Sequence, residues 1–140
     1  TNTKPYVVPT QNIPQNLIGM DIGPKTIALY TKIIQRVKTV IWNGPMGVFE
    51  YEKFSSGTYK IAKAVAKVKG TTIVGGGDSI AAIHLLKLGN YISHISTGGG
   101  ASLQLLQGEL LPGVEVIENK ENIVFKESAP PVRSKKTKKK

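Results

Sequence analysis

Residues Thr71–Ala81 read TTIVGGGDSIA, and the order of these eleven residues decides the fold. Thr72–Val74 is a short β-prone run. Gly75-Gly76-Gly77 then removes three Cβ atoms, and Asp78-Ser79 opens a helix. The same strand, glycine loop and helix sequence occurs twice more. Thr39–Trp42 leads into the loop Asn43–Glu50, and Ile92–Ser96 leads into Gly98-Gly99-Gly100. Short apolar strands alternating with helices predict an α/β fold with a parallel sheet covered by helices. In such sheets ligands bind beyond the carboxyl ends of the strands. All three loops follow strands, so all three are expected at that one edge.

Working outward, Gly23-Pro24 marks a helix start, because proline at an early helical position gives up an N–H that has no partner there anyway. Ile27, Tyr30, Ile33, Ile34 and Val37 follow at helical spacing. A second helix is expected near Ser55–Lys69, closed by Gly70. A third is expected over Ser79–Leu88, ending at Gly89-Asn90, and a fourth over Ala101–Gln107. The lead-in carries Pro5, Pro9 and Pro14 and reads as extended chain, with Tyr6–Val8 a candidate edge strand. Pro112-Gly113 reads as a turn before β-prone pieces at Val114–Ile117 and Ile123–Phe125.

The chain has 140 residues, enough for one domain with a real core. It is 40% hydrophobic and 20% charged, a globular composition. It lacks cysteine, which excludes disulfides and thiolate metal sites and suits a reducing compartment. No apolar run reaches the roughly 20 residues of a membrane span. The net charge is +10, and six of the last eight residues are Lys or Arg. Without those six, thirteen basic side chains face nine acidic ones, a mild excess. Residues 1–127 therefore read as one folded unit and residues 128–140 as a basic, solvated tail. Such a tail suits an acidic partner; it has no aromatic interleaving that would specify nucleic acid. The first residue is Thr1 rather than methionine, so either a fragment or a processed chain is expected.

The loops carry the chemistry. Three glycines between a strand and a helix let the backbone take positive φ and approach a ligand closely. The first turn of a helix offers free amides and a favourable dipole to an anion. Asp78 at that point would repel a bare phosphate, unless a Mg²⁺ ion binds its carboxylate and the phosphate oxygens together. Asp78 is thus the candidate metal ligand, and Gly76, Gly77 and Ser79 the candidate phosphate contacts. Taken by itself the loop reads equally as a tight turn with Asp78 as a plain helix cap. Gly98, Gly99 and Gly100 repeat the device without a carboxylate, with Thr97 and Ser102 as nearby hydroxyl donors, which suits stabilising charge on a transferring phosphoryl group. That loop, too, taken alone, is equally a simple turn. In the first loop Pro45, Met46, Val48 and Phe49 can line a slot for a flat base, and Glu50 can accept from sugar hydroxyls. Taken alone, the same apolar residues read as core ahead of a base slot. Neither glycine loop fits a P-loop or a dinucleotide fingerprint. Asp78, Ser79, His84 and His94 lack the elbow and geometry of a hydrolase triad, and two histidines without ligand spacing make no zinc site.

The segments WNGPMGVFE (Trp42–Glu50), GGGDS (Gly75–Ser79), STGGGASLQLLQG (Ser96–Gly108) and LPGVE (Leu111–Glu115), with DIGPKT (Asp21–Thr26) upstream, resemble the phosphoglycerate kinase family over roughly residues 1–117. The resemblance implies the carboxyl-terminal portion of a Rossmann-like nucleotide-binding domain, in a cytoplasmic glycolytic enzyme. It implies phosphoryl transfer between 1,3-bisphosphoglycerate and ADP, with ATP or ADP as nucleotide substrate and Mg²⁺. By motif, Glu50 resembles the ribose-binding acid, Pro45 and Val48 lie near the adenosine, and Asn43 lies near the phosphates. Asp78 resembles the metal-associated aspartate and Ser79 a phosphate-binding residue. Gly98–Gly100 resemble the loop facing the transferring group. Gln104 and Gln107 stand where the family commonly has acids. The family's amino-terminal domain, with its triose-phosphate site and catalytic arginine, is not in this sequence. Nor are the adenine-side glycines and the phosphate-contacting lysine. The chain alone is therefore expected to be inactive, needing that domain as a partner. The alternative is a kinase-derived structural or interaction subunit of a larger assembly.

Overall fold

The computed structural model describes residues 4–118. Three strands, β1 (Thr39–Asn43), β2 (Thr71–Gly75) and β3 (His94–Ser96), form a parallel sheet in the order β1-β2-β3. Helix α1 (Pro24–Ile34) precedes β1, α2 (Ser56–Val65) joins β1 to β2, and α3 (Gly77–Leu85) joins β2 to β3. Helices α4 (Gly100–Leu106) and α5 (Pro112–Glu118) follow. The expected α/β class and parallel sheet are what the chain forms.

Period-two alternation divides the side chains of the sheet between two faces. Trp42, Val74 and Ile95 stand in register on one face, where Trp42 and Val74 join Ile61, Ala62 and Val65 of α2 and Ile83 of α3 in the core. The other face carries the register row Ile41, Ile73 and His94. It is met by α4 across a cavity of about 190 Å³ lined in part by Leu103, Leu105 and Leu106. Burial is thus one-sided. Val74 and Ile83 are fully buried, whereas Ile41 is 46% exposed.

Element ends depart from the sequence reading where tertiary hydrogen bonds intervene. The strand expected from Ile92 begins at His94. Before it, Ser93 and Thr72 exchange backbone-to-hydroxyl bonds (Thr72 N to Ser93 Oγ, 3.1 Å; Ser93 N to Thr72 Oγ1, 2.9 Å) in place of ladder bonds. Helix α2 stops at Val65 rather than Lys69, as Lys67 and Val68 bond only three residues back. Gly70 has a different role from the expected helix closure. A Cβ there would run into the Lys38 carbonyl, which also accepts the Thr71 amide at 2.8 Å. Helix α3 closes at Lys87 (φ 55°), with Leu88 N bonded to Ile83 O and Lys87 N to His84 O, ahead of the expected Gly89.

Two expectations are overturned. Tyr6–Val8, flanked by Pro5 and Pro9, pairs with no strand among the described residues; Val7 instead packs beside Gly23, and Thr10–Asn12 of the lead-in turns as a short 3₁₀ helix. Pro112–Glu118 is a helix rather than a turn and strand. Pro112 supplies a helical φ, and the Val114 and Glu115 amides close locally on Leu111 O at 2.9 Å, with no strand paired beside them among the described residues to exploit their β propensity. Ile123–Phe125 and the basic tail lie outside the described residues.

Candidate functional site

The register fixes the site. Asn43, Gly75 and Ser96 are Cα partners across the sheet, so the three strands end level, at the usual inter-strand spacing of about 4.8 Å. The three glycine-bearing loops leave from this common end.

The first loop is held by residues far away in sequence. The Trp42 Nε1–H donates to Gly44 O (2.6 Å), and Gly44, at φ 90°, donates its amide to Ser79 Oγ (2.7 Å). The buried Thr58 Oγ1 accepts from the Met46 and Gly47 amides (3.1 and 3.3 Å), and Met20 O accepts from Val48 N (2.9 Å). Asp21 closes the arrangement. Its two carboxylate oxygens accept from Ile22 N and Gly57 N at 2.8 Å, and a Cβ at either Gly47 or Gly57 would collide with that carboxylate. The loop is a strap braced from several elements. Pro45 and Val48 lie half-buried within it, and Glu50 stands exposed at its far end.

In the second loop Gly76 has φ 82°, and a Cβ there would sit 2.8 Å from Asn43 Oδ1. Only glycine lets the Asn43 amide lie against this turn. Gly77 faces open space. The next two residues part company: Asp78 is exposed in the first turn of α3, whereas Ser79 is fully buried. The Ser79 hydroxyl therefore ties this loop to the first, and what the helix start offers outward is its amides and the Asp78 carboxylate.

The third loop turns at Gly99 (φ 51°). Ser96 and Ser102 share a 2.5 Å hydroxyl bond across its base, and the Gly98 amide donates weakly to Ser96 Oγ (3.4 Å). A Cβ at Gly98 would come within 2.8 Å of Ser102 Oγ. Asn43 lines the same cavity as Ser96 and Ser102. The structure thus brings Asn43, Gly76, Ser79 and the base of Gly98–Gly100 into one neighbourhood, with Asp78 at its rim.

Asp21, Thr58 and Ser96 are the residues that the sequence reading of the site did not single out; Ser102, expected as a hydroxyl donor beside the third loop, is bonded to Ser96. Asp21 had a signal, since it opens the motif DIGPKT; Thr58 had none. Among the described residues no group of three or more His, Asp or Glu converges to hold a metal. A cation here would have one carboxylate, Asp78, and would need the ligand's own oxygens. That fits a hard divalent ion shared with phosphate.

A sequence profile described as phosphoglycerate kinase matches residues 1–109. The chain belongs to the phosphoglycerate kinase family. It is 56% identical over 114 residues to the phosphoglycerate kinase of Clostridium perfringens (strain SM101 / Type A), covering 81% of this chain and 29% of that protein. It is 52% identical over 118 residues to that of Borreliella burgdorferi (strain ZS7), covering 84% and 30%. The solved phosphoglycerate kinase from Coxiella burnetii superposes with a TM-score of 0.67 at 46% identity, covering 72% of this chain and 26% of that one. The enzyme from Pyrococcus horikoshii OT3 gives 0.63 at 45%, covering 71% and 24%. The chain thus spans less than a third of these phosphoglycerate kinases. Among the described residues no helix is long and apolar enough to cross a membrane.

Proposed function

We propose that this chain forms the Mg-nucleotide side of a phosphoglycerate kinase, in which a phosphoryl group passes between 1,3-bisphosphoglycerate and ADP. One observation carries the reading: three glycine-bearing turns leave level strand ends, and a single exposed carboxylate, Asp78, stands where helix α3 presents its free amides. Mg²⁺, when bound, neutralises phosphate charge. Asp78 holds the cation's side of that pair.

The remaining roles belong to this chain's own residues. Gly76, Gly77 and the first amides of α3 receive the nucleotide phosphates, with Asn43 beside them. Ser79 contributes its backbone N–H while its hydroxyl keeps the first loop in place. Pro45 and Val48 flank the adenosine, and Glu50 accepts from the ribose hydroxyls. Gly98–Gly100 place backbone donors toward the group in flight. Phosphoryl transfer is mostly positioning and charge stabilisation. A chain carrying only the nucleotide side therefore binds but does not turn over, and its partner is the domain that holds the triose phosphate. The reading puts it in the cytoplasm with the rest of glycolysis.

Calorimetry on the 140-residue chain with Mg-ADP tests the proposal. Binding is expected, and Asp78→Ala should weaken it about tenfold with Mg²⁺ present, the scale of one lost charge-assisted contact of ~1.4 kcal/mol. Without Mg²⁺ the substitution should have little effect. Equal losses with and without the cation would remove Asp78 from the metal role. A coupled kinase assay on the same chain should show no turnover. The alternative, an interaction subunit derived from a kinase, draws on the chain's short span of its relatives and predicts no Mg-ADP binding at all.

A further inference from the structure

The outer helical layer carries a second surface, lined by residues other than those of the loops. Residues 22–49 and 53–77 contain no Asp or Glu, so neither α1 nor α2 has an acid. Helix α1 packs on α2, and between them lies a groove of about 220 Å³. Lys60, Lys63 and Lys67 form one wall, Thr31 and Gln35 the other, over an apolar floor that includes Ala64. Lys60 and Lys63 lie one turn apart on α2, Lys67 follows just past its end on the same groove, and all three are exposed. None is held in an ion pair among the described residues. Like charges at this spacing repel, and nothing on either helix offsets them.

The groove's chemistry selects among anions. Its floor is apolar: Ile27 is 8% exposed and Ala64 3%. A phosphodiester backbone has no use for such a floor, and no aromatic ring lines the groove on which a base could stack. A peptide helix uses both features, since it presents an apolar side chain and carboxylates from adjacent positions of one face.

We propose that the α1–α2 groove docks an acidic amphipathic helix of a partner protein, with its carboxylates on Lys60, Lys63 and Lys67 and an apolar residue over Ile27 and Ala64. This does not rest on the nucleotide reading. None of the groove's lining residues belongs to the loops, so Mg-ADP binding and peptide docking succeed or fail separately.

The probe is a fluorescein-labelled helical peptide of about 15 residues, with Glu at i, i+3 and i+7 flanking one leucine. Anisotropy is read with the full 140-residue chain near physiological ionic strength, where the Debye length is about 8 Å and distant charges are screened. Binding is expected, with a loss of about tenfold or more on Lys60→Glu/Lys63→Glu/Lys67→Glu. The milder Lys60→Gln/Lys63→Gln/Lys67→Gln should lose less in the same direction, and it covers the case in which triple reversal perturbs the fold. Reversing Lys136, Lys138, Lys139 and Lys140 should change affinity by no more than about twofold. The same peptide with Gln for Glu, or Ala for leucine, should bind weakly. The proposal is overturned if the tail reversal abolishes binding while the groove variants do not. It is equally overturned if a short DNA duplex binds the groove as tightly as the peptide, or if the Ala-for-leucine peptide matches the original.

Discussion

Gly76 and Asn43 show how closely this fold constrains single residues. At φ 82° Gly76 occupies backbone space that side chains avoid, and its missing Cβ is where the Asn43 amide lies. Gly76→Ala therefore meets two separable penalties, a positive φ and a contact. Together they should cost about 1–3 kcal/mol in urea unfolding. In an Asn43→Ala background the contact is gone and only the dihedral penalty should remain, so the Gly76→Ala loss should shrink there. An unchanged loss in the double-mutant cycle would show that Asn43 has no part in it. The sequence announced Gly76 as special because three glycines between a strand and a helix have few other uses. It could not announce its partner. Asn43 lies 33 positions earlier, and only the parallel register places it against the turn. Ser79 shows the same limit. A serine opening a helix reads as a phosphate contact, and the Gly44 amide that engages its hydroxyl belongs to a different loop.

At the scale of elements, strands and loops were legible and ends were not. β-branched runs before glycines are strong signals, and all three strands fall where those runs lie. The ends were settled instead by bonds between distant residues: Ser93 with Thr72 delays β3, and Lys87 in a left-handed conformation closes α3 before any glycine is reached. Helix α5 was misread because Val114, Val116 and Ile117 favour a strand only when another strand is beside them. The strap Asn43–Glu50 depends on such distant bonds most of all, and Thr58 is its test. Thr58→Val keeps the shape but removes the acceptor for the Met46 and Gly47 amides. Leaving two partly buried donors without a partner should cost about 1–3 kcal/mol. Thr58→Ser keeps the hydroxyl and loses one methyl, about 1 kcal/mol or less. Hydrogen exchange separates the two explanations. The Met46 and Gly47 amides should lose protection in the valine variant and retain it in the serine variant. Equal protection in both would mean that the hydroxyl does not hold the strap.

For the whole molecule the decisive fact is that the sheet buries one face far better than the other. α2 and α3 close over Trp42 and Val74, while Ile41 stays 46% exposed on the opposite side and Leu105 and Leu106 of α4 stay 63% and 56% exposed. Hydrophobic stabilisation scales with the apolar area removed from water, and truncating a buried side chain adds the loss of its packing. The same chemical change should therefore have unequal effects on the two sides. Ile83→Ala, at a fully buried site, should cost about 2–5 kcal/mol. Ile41→Ala, at a half-open strand position, should cost about 1 kcal/mol or less. Chemical denaturation of the 140-residue chain compares them directly, with the midpoint shift read at constant slope. Equal costs would mean that the Ile41 face is covered in solution, by association or by residues beyond 118, and sedimentation velocity on the same samples would separate those two cases. With unequal costs, the face of Ile41 and Ile73 is the open side of the sheet. That is the outcome expected from the 46% exposure of Ile41.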